Sequence, residues 1–169
     1  MESAVLGMRM EIITSTADSG GAVFEALTTV VPGFGGPPLH IHPKAEETFK
    51  VLSGTLEVCV GGEWRQVTAG QSVTAPAGVE HTMRNPGATE TSFTATYKPA
   101  YEIEGFFRRL IALGNTEKVT LPPKGLRPVM LASMLASSYP ATNLSVSPPL
   151  KVIRFMAFVG RALGYRLPD

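Results

Sequence analysis

One cysteine, one tryptophan and three histidines in 169 residues leave few positions for side-chain chemistry. A lone Cys59 excludes an internal disulfide and reads as a small apolar strand residue. Charged residues amount to 17%, below the usual ~25%. The net charge of +1 supplies no bulk field for nucleic acid, and no basic recognition element precedes the first strands. No positively charged start leads into an apolar run, so no signal peptide is expected. No apolar stretch approaches the ~20 residues of a membrane span. The expectation is a cytoplasmic protein with a small-molecule partner, without nucleic acid and without integral membrane association. Apolar residues reach 44%, enough for one core.

The three histidines, His40, His42 and His81, fall in two short segments. In an extended strand, side chains two apart share a face, so His40 and His42 point the same way. Pro43-Lys44-Ala45 breaks the run, because proline lacks the donor that a central strand needs. A new strand, Glu47 to Ser53, puts Glu47, Phe49 and Val51 on one face. His81 arrives from a third strand, behind Pro76-Ala77-Gly78. Three imidazoles and a carboxylate suit one borderline divalent ion: Fe, Mn, Ni, Co, Cu or Zn. Four protein ligands on a six-coordinate ion leave two positions open. Structural sites tend to be closed, so the layout is a catalytic one.

These residues resemble the two motifs of the cupins, in particular the small single-domain type. His40, His42, Glu47 and Gly54 fit the first motif; its leading glycine is displaced, with Phe34 at that place between Gly33 and Gly35. Gly70, Pro76, Gly78, His81 and Asn85 match the second in full. The spacing to Gly54 selects Glu47 over Glu46, which is expected to face solvent beside Lys44. The resemblance implies an antiparallel jelly-roll β-barrel, a metal held by His40, His42, Glu47 and His81, and a homodimer. Asn85 is expected to close a turn through backbone bonds, and Trp64 to pack.

Strand signals with turn residues between them recur as far as Pro99: Val5–Thr14, Ala22–Val31, Glu47–Ser53, Leu56–Val60, Trp64–Thr68, Ser72–Ala75, Thr82–Asn85 and Thr91–Tyr97. Residues 1–99 are read as the barrel and 100–169 as a helical C-terminal extension that packs on the barrel or on a partner subunit. In the extension a first helix has Glu102 and Glu104 at its start, Arg108 and Arg109 near its end, and Gly114 as its stop. Pro128 opens a second, Val129–Ser137. Ser137–Pro149 reads as a connecting loop. A third helix, Leu150–Leu163, ends at Gly164; its apolar face is expected to pack on the barrel or a partner subunit with Lys151, Arg154 and Arg161 solvated, the alternative being a basic amphipathic helix that lies on an anionic membrane.

Phe49, Val51, Met83 and Phe93 are candidate pocket walls by parity, and apolar walls favour an apolar or aromatic, enolic substrate. With a redox-active ion the resemblance implies a dioxygenase, in which Glu47 could also leave the metal and act as a base. The same Lewis acid without dioxygen gives an isomerase, cyclase or decarboxylase. A barrel that only binds a small ligand, without turnover, is the alternative from another class.

Overall fold

The computed structural model describes residues 1–168. Strands β1 (Glu2–Ser3), β2 (Met8–Thr14), β3 (Phe24–Val30), β4 (His40–Ile41), β5 (Glu46–Ser53), β6 (Thr55–Val60), β7 (Glu63–Thr68), β8 (Ser72–Ala75), β9 (Glu80–Arg84) and β10 (Thr91–Lys98) come first. Helices α1 (Ile103–Thr116) and α2 (Leu126–Ser138), strand β11 (Leu144–Ser145) and helix α3 (Leu150–Ala162) follow. Two antiparallel sheets face each other, one ordered β1-β2-β3-β10-β5-β8 and the other β11-β4-β9-β6-β7. The chain is mainly β, a jelly-roll barrel followed by a helical segment.

Alternation fixes the inner face. Thr91, Phe93, Ala95 and Tyr97 of β10 are buried, with half-buried residues between them. In register across the sheet, Phe93 lies opposite Val51, Ala95 opposite Phe49 and Tyr97 opposite Glu47. Glu47, Phe49 and Val51 are therefore buried on one face of β5, while Glu46 and Lys50 are exposed. Phe24, Val30, Leu56 and Val58 complete the interior with no accessible surface. Cys59 is buried. Trp64 is 46% exposed, on the outside of the sheet, where the Arg84 guanidinium covers its ring at 4.3 Å.

Three local expectations are corrected. The early strand begins at Met8 rather than Val5, because Gly7, at φ +69°, turns the chain there. Gly114 does not stop the first helix, which runs on to Thr116. A Cβ at Gly114 would lie 2.6 Å from Ser3 Oγ and 2.7 Å from Leu6 Cγ, so the glycine is there to let α1 approach the N-terminal segment. Arg108 is consequently mid-helix, paired with Glu104 at 2.7 Å. Finally, the stretch Ser137–Pro149 holds a strand: β11 pairs with β4, Leu144 opposite Ile41 and Ser145 opposite His40.

The helices share the barrel's core. Leu113, Leu131 and Leu135 belong to the same buried cluster as Phe24, Phe49 and Phe93. On α3 only one side is covered: Ile153, Ala157 and Gly160 are buried. A Cβ at Gly160 would meet Met134 Sδ at 3.0 Å, so α2 and α3 cross closely. The packing expected for the apolar residues of α3 is partial, since Phe155 and Phe158 are 64% and 67% exposed. One prediction arises from the α1 contact. Gly114→Ala overpacks a site where Leu6 is 3% exposed, at a cost of about 1–3 kcal/mol. Urea unfolding checks it; a stabilised variant, as expected for an ordinary exposed helical glycine, would show that the contact is not tight.

Candidate metal centre

Register brings the candidate ligands together from both sheets. His40 on β4 lies directly opposite His81 on β9. On the facing sheet, Glu47 on β5 lies directly opposite Tyr97 on β10. His42, just past the end of β4, completes the group. Directly opposed residues have Cβ atoms about 4.5–5.5 Å apart, so each pair is close before any side chain is placed. Ring centroids are 4.4 Å apart for His40 and His81, and 5.0 Å apart for His42 with either of them. One donor atom from each of His40, His42, Glu47 and His81 lies within 4.8 Å of the others, all four residues are buried, and the set could hold a metal ion.

The hydrogen bonds behind the rings decide which nitrogens face inward. Nδ1 of His40 donates to the Pro38 carbonyl at 2.9 Å, and Nδ1 of His81 to the Val79 carbonyl at 2.8 Å. Nδ1 of His42 donates to the carbonyl of Thr142, on the loop before β11. A carbonyl only accepts, so each Nδ1 carries the hydrogen, and in a neutral ring each Nε2 carries a lone pair. Nε2 of His42 and of His81 stand 3.1 and 2.9 Å from Glu47 Oε2. Lone pairs and a carboxylate oxygen crowded together repel one another unless a proton or a metal cation lies among them. The donor set thus fits a divalent ion, with outer partners that orient every imidazole.

The electrostatics describe the same demand for positive charge. Burial pushes the His40 pKa down, helped by repulsion from His81 and His42, to about 3. For His81 burial also opposes the charged form, but the hydrogen bond and charge of Glu47 prevail and raise its pKa. Burial would raise the Glu47 carboxyl, yet His42 and His81 outweigh that and hold it well below the usual carboxylate range. Tyr97 is raised, by burial first and then by the Glu47 charge. It stays a phenol and donates to Glu47 Oε1 at 2.5 Å, which leaves Oε2 facing the histidines. Tyr97→Phe should therefore leave the barrel folded and weaken divalent-metal binding about 10–100-fold, the range for loss of an outer partner. Calorimetric titration checks this; unchanged affinity would mean that the phenol does not aim Glu47.

A cavity of about 430 Å³ opens on the cluster, with His40, His42, Glu47 and Tyr97 among its walls. Of the wall positions expected by parity, Phe49 and Met83 line it. Val51 and Phe93 do not reach it; they lie in the core, 0% and 1% exposed. Asn85 closes its turn, donating to the Val31 and Thr89 carbonyls and accepting from Gly87 N–H. Phe34, at the place of the displaced motif glycine, lines the cavity. Gly36 makes the close approach instead: a Cβ there would fall 1.7 Å from the Met83 carbonyl oxygen. Sequence reading missed the polar wall residues Ser133, Asn143, Ser145 and Ser147, and the apolar Phe106 and Phe107, all from the helical segment. No motif marks them, because they reach the site only through tertiary packing.

Residues 26–97 match the family model for the cupin domain. The barrel belongs to the cupin superfamily. Similar solved structures include a predicted oxalate decarboxylase from Thermotoga maritima, at 25% identity and a TM-score of 0.51, covering 54% of this chain and 80% of that one. A RmlC-like cupin from Shewanella frigidimarina is 23% identical with a TM-score of 0.51, over 59% of this chain and 82% of its own. KdgF from Halomonas sp. is 18% identical with a TM-score of 0.51, over 58% and 84%. No curated protein matches the sequence. No helix among the described residues of this cupin is long and apolar enough to cross a membrane.

Proposed function

We propose that this cupin is a metal-dependent enzyme acting on a small apolar or aromatic, enolic metabolite, and that the reaction is an oxygenation. The observation that carries the reading is a three-histidine, one-glutamate cluster, each ring aimed by a backbone carbonyl, opening on an apolar cavity. A redox-active divalent ion held by His40, His42, Glu47 and His81 would supply Lewis acidity and access to dioxygen chemistry. The protein's own part is binding and exclusion of water. Phe34, Phe49, Met83, Phe106 and Phe107 offer apolar contact, and among the described residues no Lys or Arg lines the cavity. A neutral or singly ionised aromatic ligand suits such walls better than a dianion. Tyr97 holds one oxygen of Glu47, and the lowered pKa makes this carboxylate a weak proton acceptor. Ligation is thus its main role, ahead of base catalysis. The setting we propose is cytoplasmic, as a homodimer.

Elemental analysis of freshly purified protein, then oxygen uptake by the Fe(II)-loaded form with flavonol, catechol and 1,3-dicarbonyl probes, tests the proposal. Equal turnover under argon, or with Zn(II) in place of iron, would rule out the oxygenase. That result would favour a second reading, a non-redox isomerase, cyclase or decarboxylase, for which the likeness to the Thermotoga maritima protein speaks. The lack of basic wall residues weighs against oxalate itself. A metal-dependent melting shift with a metabolite but no turnover would instead indicate a non-catalytic binding cupin.

Proton competition gives a further expected result. Metal binds only unprotonated Nε2, so affinity falls on acidification. Because the His81 pKa lies above its ordinary 6.5, the fall begins above that pH. His40 stays neutral to about pH 3 and contributes little to it. Affinity measured between about pH 8 and pH 5 checks this, and a flat profile would contradict it.

A further inference from the structure

The chain's small net charge conceals an uneven distribution. Residues 1–117 hold 8 Lys or Arg against 13 Asp or Glu, a net −5, whereas residues 118–169 hold 7 against 1, a net +6. Helix α3 lies within the basic part and contains no acid. At 3.6 residues per turn, Phe155, Phe158 and Ala162 project from the side opposite the buried Ile153, Ala157 and Gly160. Val152, Phe155, Phe158 and Leu163 are 44%, 64%, 67% and 55% exposed. Lys151 sits within this stripe, and Arg154 and Arg161 run along one margin; all three are exposed. Among the described residues none of these three bases pairs with a carboxylate, although Arg127 on α2 is held by Glu117.

We propose that the outer face of α3 docks on an anionic lipid bilayer, with the helix lying in the plane of the surface. An exposed apolar stripe flanked by basic residues, on a helix too short to span, is the pattern that settles at the headgroup boundary. Phe155 and Phe158 enter the acyl margin, and Lys151, Arg154 and Arg161 reach the phosphates with their aliphatic stems in apolar contact. The helix is already formed and clamped to α2 through Gly160, against Met130 and Met134, so docking orders no new backbone. Charge selects the lipid surface over a second copy of this face, because two copies of a helix that carries Lys151, Arg154 and Arg161 and no acid repel when brought together. The inference does not depend on the metal site.

The test is co-sedimentation of the full-length protein with phosphatidylcholine vesicles, and with vesicles of equal phosphatidylcholine and phosphatidylglycerol. The expected result is partition onto the anionic vesicles stronger by on the order of 100-fold, from about 1 kcal/mol for each of the three bases, lost in high salt, where screening shortens to about 3 Å. Lys151→Glu with Arg154→Glu, and separately Phe155→Ser with Phe158→Ser, should each abolish it. Both double variants should keep the wild-type melting temperature and metal content, since all four side chains are exposed. Equal binding to both vesicle types, or binding that survives either double variant, overturns the proposal. So does an oligomer that turns monomeric in Phe155→Ser with Phe158→Ser, which would assign the face to a second copy.

Discussion

In His81→Ala we expect bound metal to drop to background while the barrel remains folded. His81 is 1% exposed and supplies one of the three inward lone pairs, so its loss removes a ligand and opens a small polar void. Loss of an outer partner costs about 10–100-fold in affinity, and loss of a direct ligand should exceed that. The apolar interior around Phe24, Leu56 and Val58 does not include it. The metal-free melting temperature should fall only modestly, because the buried Glu47 loses one histidine partner but keeps His42 and Tyr97. What disappears is the stabilisation that metal confers, about 2.7 kcal/mol at 100 times the dissociation constant. Glu47→Gln should behave similarly, whereas Glu46→Gln, exposed on the other face of β5, should be silent. Melting curves with and without added metal, beside metal analysis, separate these cases; a metal-free Glu46→Gln with a loaded Glu47→Gln would reverse the assignment of the carboxylate.

The second large effect concerns the helical segment. Removing residues 126–169 takes away Leu131 and Leu135, 0% and 1% exposed, and uncovers Leu113 and Ile103 in the same cluster. Truncating a buried leucine to alanine costs about 2–5 kcal/mol, against a total stability of about 5–15 kcal/mol. Losing the whole α2–α3 pair should leave the remainder unable to hold a native state, and the exposed apolar surface should drive association. The milder Leu131→Ala should lower stability by about 2–5 kcal/mol and keep a monodisperse fold. Urea unfolding and light scattering measure both. If the truncated chain stays monodisperse with unchanged stability, the helices do not share the barrel's core.

Much of the site was legible because its ligands lie in two short motifs whose local geometry is strand alternation. His40, His42 and Glu47 needed only parity and a break at Pro43, and His81 needed only the Pro-x-Gly turn. Tyr97 was visible as a residue but not as a partner. Its position opposite Glu47 depends on the pairing of β10 with β5, strands some 50 residues apart in the chain, and no local pattern encodes that register. Val51 and Phe93 share the pocket face by parity, yet a barrel interior is partly core and partly cavity, and alternation does not distinguish depth. Gly114 illustrates another limit: a stop glycine and a close-packing glycine look alike until the neighbour is known. Helix α1 was legible from its terminal charges and α3 from its apolar residues ahead of Gly164, but the exposed half of α3 was not, since an apolar stripe does not say whether it is covered.

Thr142 has a consequence for how this molecule can be taken apart. Its carbonyl aims His42 from 100 residues downstream, and β11 is stitched to the very strand that carries His40, with Val146 N–H bonded to the Leu39 carbonyl at 3.1 Å. The segment from Thr142 to Val146 thus aims His42 and backs the strand that carries His40. A graft of residues 1–99 onto another protein would transplant all four donor groups but leave behind the carbonyl that aims His42.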